Sequence, residues 1–146
     1  MCLSKLFRKK EPAKETPILP DIPVYPEPTG VISLHEASSI LLDKFEDVEI
    51  YLPDEDIKVY NKEEIKNFLK LDETDKIPYL AEIKDCDDSA AIMFGKFAGL
   101  VWTSLHALNF FISDDNKLFF IEPQTDLISQ ELEGWQGKEI RFFLSR

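Results

Sequence analysis

The sequence predicts an α+β fold, with a central helix carrying Cys86 packed on an antiparallel sheet. Three observations carry that expectation. Apolar residues recur at helical spacing in "SLHEASSILLDKF", "NKEEIKNFLKLD" and "DCDDSAAIMFGKF". Two β-rich apolar runs, "SLHALNFFI" and "KLFFIEPQT", flank the turn-forming "SDDN" and read as a hairpin. A last run, "KEIRFFLS", alternates Ile140, Phe142 and Leu144 as a half-buried strand. Helices come first and strands last, the order of segregated layers.

Taken in order, the chain begins with the basic stretch "MCLSKLFRKK", and six of its nine prolines fall within residues 1–28. Proline at that density removes backbone donors and favours an extended chain. Residues 1–29 are therefore expected to be a disordered, basic, proline-rich arm, and residues 30–146 the folded domain. The arm lacks the apolar core of a signal peptide. Weak surface attachment through Cys2 and the basic cluster stays open.

Within the domain, Ser33 and Glu36 form a capping box that starts a helix with Leu34, Ala37, Leu41 and Leu42 on its apolar face. His35 lies off that stripe and is expected to be exposed. "VEIYLP" and "IKVY" read as short strands around an acidic turn. Asn61 caps a second helix that turns Ile65, Phe68 and Leu69 inward. "IPYLAEI" reads as another strand. Asp85 is the expected N-cap of the third helix, with Asp88 three residues later, which places Cys86 at its first position on the inward face. Trp135 in "GWQG" is read as a turn-anchoring aromatic.

Composition sets the limits. With 146 residues, 44% of them apolar and eleven phenylalanines, the chain can bury a core without disulfides. Its two cysteines lie far apart and show no zinc-binding spacing. A reducing setting follows, cytoplasmic or virion-associated. The net charge is −11, and residues 1–28 carry five basic against four acidic residues, so the acidity belongs to the domain. That balance argues against nucleic acid and anionic surfaces as partners. The apolar runs fall far short of the ~18 residues of a membrane-spanning helix, so an integral membrane segment is not expected.

Polar groups inside apolar runs are the candidates for chemistry. With a three-residue hairpin loop at Asp114, Asp115 and Asn116, and Asn116 in the left-handed conformation, Ser113 pairs with Lys117. Leu108 then lies opposite Glu122, and His106 and Glu122 become diagonal neighbours on one face. Asn109 points the other way and reads as a structural hydrogen-bonder. A cysteine at a helix start, an imidazole on a strand and a carboxylate on the next strand are the parts of a thiol nucleophile, its base and an orienter. The helix dipole favours a thiolate at Cys86, while Asp85, Asp87 and Asp88 oppose it.

The words "DCDDSA", "HALNFFI" and "LFFIEPQTD" resemble the papain-like C-terminal cysteine-protease domain of a mushroom agglutinin and its small microbial and phage relatives. The resemblance covers roughly residues 50–125. It implies a papain-like fold and a Cys–His–Glu triad, with Cys86 as nucleophile, His106 as general base and acid, and Glu122 as orienter. It further implies hydrolysis of amide or peptide bonds and a peptide or amide substrate. The chain departs from the pattern in having no glutamine before Gln124, so oxyanion support falls to Gln124, Tyr79 or Asn61. The chemistry requires no cofactor. Calcium dependence is a property of the resembled family, and no loop pattern here fixes a metal site. Two other readings stand beside this one: a peptidoglycan amidase, deamidase or transglutaminase on the same triad, and a non-catalytic binding or phage structural module.

Overall fold

The computed structural model describes residues 25–146, so most of the expected N-terminal arm lies outside the described residues. The helices begin where local chemistry places them. Helix α1 (Leu34–Leu42) starts at Ser33, whose N–H donates to Glu36 Oε2 at 2.9 Å while its hydroxyl accepts from the Glu36 N–H. Ala37 and Leu41 are buried, whereas Leu34 and Leu42 are exposed, so the apolar face is narrower than expected. Helix α2 (Lys62–Leu71) starts at Asn61, whose side-chain oxygen accepts from the N–H groups of Glu63 and Glu64. Helix α3 (Cys86–Lys96) starts at Asp85, whose N–H donates to Asp88 Oδ2 at 3.2 Å.

The eight strands are β1 (Gly30–Ser33), β2 (Glu49–Tyr51), β3 (Asp56–Tyr60), β4 (Gly99–Thr103), β5 (Ala107–Ser113), β6 (Leu118–Glu122), β7 (Leu127–Ser129) and β8 (Ile140–Leu144). They form a mixed sheet in the order β1-β3-β5-β4-β8-β2, with β6 on the other side of β5 and β7 beyond it. The β3–β5 and β2–β8 pairs are parallel and the rest antiparallel.

This architecture corrects the expected papain-like α+β fold. The described residues form a β-rich molecule with three short helices of 9, 10 and 11 residues, and the sheet is mixed rather than antiparallel. The reason is long-range pairing, which local patterns do not reveal. "GVIS", "GLVWT" and "LIS" carry no strand signal of their own, yet β1 pairs with β3, β4 with the distant β8 as well as its neighbour β5, and β7 with its neighbour β6. "IPYLAEI" shows the opposite outcome. It has no neighbour to pair with along its length, and it folds into an exposed turn closed by an isolated bridge between Leu80 and Lys84.

The β5–β6 hairpin has the register expected from its loop. Asn109 pairs with Ile121 and Phe110 with Phe120, Asn116 has φ +60°, and the Ser113 N–H donates to Lys117 O. Both strands are buried from end to end because both faces are covered. Phe111, Phe119 and Ile121 pack with Ile65 and Leu69 of α2, Met93 of α3 and Phe97 just after it. On the alternate positions, Leu108, Phe110, Leu118 and Phe120 pack with Leu41 of α1 and with Val101 and Phe143. Strand β8 turns Phe143 into that core, one residue out of phase with the expected Ile140, Phe142 and Leu144 stripe. Gly99 is required where β4 meets β5, since a Cβ there would lie 2.2 Å from the Phe110 ring.

Candidate functional site

The sharp turn from β4 into β5 delivers His106. Thr103 holds this turn: its N–H donates to His106 O at 2.8 Å, and its Oγ1 accepts from the N–H groups of Leu105 and His106. The same hydroxyl donates to Gln136 O at 2.5 Å, which ties the turn Gly134–Gln136 to the start of β5. Gly137 follows with φ +82°, and a Cβ there would lie 3.0 Å from Thr103 Oγ1, so glycine fits both the backbone and the space.

These ties assemble a buried polar network. His106 Nε2 lies 2.7 Å from Glu122 Oε2, and Gln136 Nε2 donates to the same oxygen at 2.9 Å. The Glu122 side chain is 2% exposed and that of His106 8%. Glu122 Oε1 accepts from the Gln124 N–H at 3.5 Å. A carboxylate this deep is tolerable because its oxygens meet donors. Over the network sits Trp135, 59% exposed, its ring edge-to-face with the His106 ring at 5.1 Å between centroids. The exposed Leu105 lies beside Gly137, where an added Cβ would stand 3.2 Å from Leu105 Cβ.

The structure thus brings together His106 and Glu122. Cys86 is half-buried at the first position of α3, and no hydrogen bond joins it to either residue among the described residues. His106 and Glu122 share the parity of Leu108, Phe110 and Phe120, the residues packed with α1. Helix α3 is held on the opposite parity, where Asn109 Nδ2 donates to Ala90 O and Gly99 O.

Around Cys86 the acids crowd one another. A hydrogen bond that the protonated Asp87 carboxyl makes to Asp85, together with burial, pushes the Asp87 carboxyl up from its ordinary value. One ligand atom from each of Asp85, Cys86 and Asp87 lies within 4.8 Å of the others. Calcium takes roughly six to eight oxygen ligands, and two carboxylates with a thiol do not match that need. In the "SDDN" loop, Asp115 is already engaged by Ser113 Oγ and Lys117 Nζ.

The supporting candidates separate as well. Asn61 caps α2 and donates to Asp114 Oδ2 at 3.1 Å. Tyr79 lies in the exposed turn before α3, and Gln124 is half-buried with its backbone on Glu122. The sequence did not single out Gln136 as part of the site. Its only signal was a place beside Trp135 in "GWQG", since its partner Glu122 is 14 residues away along the chain.

The fold and this network together define a β-rich domain with an aromatic platform over a satisfied polar cluster. No protein-family model matches the chain, and no curated protein matches it. Among solved structures the chain is similar to one described as the PSL1a–E64 complex, at 23% identity and a TM-score of 0.66, over 78% of this chain and 50% of that one. It is also similar to Polyporus squamosus lectin bound to the human-type influenza-binding epitope Neu5Acα2-6Galβ1-4GlcNAc. There the identity is 23% and the TM-score 0.64, over 77% of this chain and 49% of that one. The chain therefore spans about half the length of each, and at this identity the likeness shows the fold alone.

These findings correct the expected family and function. One of the two similar structures is described as a lectin, neither description names a protease, and the expectation of a papain-like cysteine hydrolase with its catalytic triad is set aside. The expectation on membranes holds in its coarse form: no helix of the described residues is long and apolar enough to cross one.

Proposed function

We propose that the domain is a non-catalytic binding module for carbohydrate, with its contact surface at Trp135 and the His106–Glu122–Gln136 network. The observation that carries this reading is the exposure of Trp135 over the buried His106 ring. A large aromatic left in water costs apolar hydration unless a partner covers it. An indole face suits the C–H face of a sugar ring, and polar groups at its base supply orientation. The lectin description of a similar structure agrees with this ligand class. The net charge of −11 disfavours an anionic sugar, so neutral glycans are the preferred ligands and sialylated ones the weaker.

A printed array carrying neutral and sialylated glycans tests the reading, with Trp135→Ala and Cys86→Ala as the paired variants. Binding of neutral glycans that Trp135→Ala removes and Cys86→Ala leaves intact is the expected result. Absence of glycan binding by the wild-type chain overturns it. So does turnover of a peptide or amide that Cys86→Ala abolishes.

A further inference from the structure

We propose that Leu105 is a specificity-determining residue of the binding surface, where it receives a methyl group carried by the sugar ring on Trp135. The site then selects methyl-bearing sugars, an N-acetylhexosamine or a 6-deoxyhexose, over their hydroxyl counterparts. The inference rests on the carbohydrate reading above and goes beyond it in naming the substituent that the site reads.

Leu105 and Trp135 stand on two turns that are fastened to each other. The Leu105 N–H donates to Thr103 Oγ1 at 3.1 Å, and that hydroxyl donates to the carbonyl of Gln136, the residue after Trp135. The Ser104 N–H donates to Glu139 O at 2.9 Å and closes the same seam one residue earlier. Between these ties Gly137 comes so near that an added Cβ would stand 3.2 Å from Leu105 Cβ and 3.3 Å from its Cγ. Trp135 is two residues from Gly137, at most about 7 Å of chain. His106 directly follows Leu105, and its ring meets the Trp135 ring at 5.1 Å between centroids. The leucine and the indole therefore flank one buried imidazole, within the reach of a single sugar ring and its substituent.

Both side chains face water although the backbone beneath each is held: Leu105 is 69% exposed and Trp135 59%. A lone exposed leucine is ordinary, but two large apolar side chains fixed around one polar ring form a patch. Because their turns are already tied, little ordering is lost when a ligand covers them. A sugar laid on Trp135 by its C–H face turns its ring substituents toward the rim, where Leu105 stands. The leucine side chain offers neither donor nor acceptor. A hydroxyl placed over it gives up water and gains no partner, whereas a methyl group is removed from water to advantage. Neutral sugars carry such a methyl in two forms, on an acetamido group or at C6 of a 6-deoxy ring. Both are uncharged, which suits a chain of net charge −11.

Titration of the full chain with two matched pairs of sugars, followed through its backbone amide shifts by NMR, tests this. N,N′-diacetylchitobiose against cellobiose isolates the acetamido methyl, and L-fucose against L-galactose isolates the 6-deoxy methyl. In at least one pair the methyl-bearing member should bind roughly tenfold tighter, and the pair that shows it identifies the source of the methyl. Leu105→Ser should bring that ratio close to one while the hydroxyl member still binds, and Leu105→Met should restore the preference. A loss of selectivity without a loss of all binding is not what a merely structural role would produce. Leu105→Ala, read in the same way, covers the case in which Leu105→Ser fails to fold. Equal binding within both pairs overturns the inference, as does a preference that survives Leu105→Ser or Leu105→Ala; the carbohydrate reading then stands. Absence of binding by all four sugars overturns the inference together with that reading, so the two failures are distinguishable.

Discussion

Asn109 reaches from β5 to α3, where its Nδ2 donates to Ala90 O at 2.9 Å, and the same nitrogen donates to Gly99 O at 3.0 Å on β4. One fully buried amide therefore joins the helix and two strands. Asn109→Leu should destabilise the fold by about 2–3 kcal/mol, since it leaves two buried carbonyls with fewer partners. Urea denaturation of the two proteins at neutral pH measures the difference. A change below about 0.5 kcal/mol would show that water replaces the amide.

Gly99 faces Phe110 across the β4–β5 ladder, and a Cβ there would lie 2.2–2.8 Å from three atoms of the ring. Gly99→Ala should force the ring out of its core position and cost about 2–3 kcal/mol or more. Gly95, which has open space around it, is the control: Gly95→Ala in the solvent-facing part of α3 should stabilise by a few tenths to about 1 kcal/mol. Thermal unfolding of both variants separates steric cost from the general effect of replacing glycine.

Asp126 is pushed up to about 6 from 3.8, first by burial and then by the charges of Asp75 and Asp72. Its folded-state value is raised, so its contribution to stability is fully present below about pH 4 and is lost as the pH rises through about 6. Asp126→Asn should flatten that part of the stability profile. The wild-type and variant curves should differ by on the order of 1 kcal/mol across the window, allowing for solvent screening of a partly exposed group. Denaturation midpoints taken between pH 4 and 7 test this. A difference of the opposite sign would show that Lys76 and Lys96 outweigh the neighbouring acids.

Lys96 binds the buried carboxylate of Asp72 and donates to Thr74 Oγ1 at 2.8 Å. This pairing, with the Thr74 N–H, holds the Asp72 carboxyl below its ordinary value against the opposing effect of burial. Lys96→Met should leave Asp72 short of a partner and cost about 2–3 kcal/mol at neutral pH. The loss should shrink as the pH falls and Asp72 takes up a proton. An equal loss at pH 4 and pH 7 in chemical denaturation would locate the effect in packing.

The sequence read well where a structure is made by its nearest neighbours. Ser33, Asn61 and Asp85 each open a helix because a side-chain oxygen and the first free N–H groups lie within four residues of one another. The hairpin register follows from Asn116 in the left-handed conformation, and with it the approach of His106 to Glu122. The reading failed where the partner was distant. "GLVWT" is a strand because β5 and β8 pair with its two edges, and "GVIS" is one only because β3 lies beside it. Cys86 opens α3 as its N-cap predicts and is half-buried there. Helical spacing turns a residue inward without saying which face of the sheet the helix will cover.

By itself, then, the sequence determined the caps, the amphipathic helices and the β5–β6 hairpin, since capping, periodicity and turn chemistry act over a few residues. Only the tertiary structure decided the mixed sheet, the side on which α3 packs, and the entry of Gln136 and Trp135 into the site. Those depend on closing long loops, and the free energy that closes them comes from burying whole surfaces, which no short stretch of sequence contains.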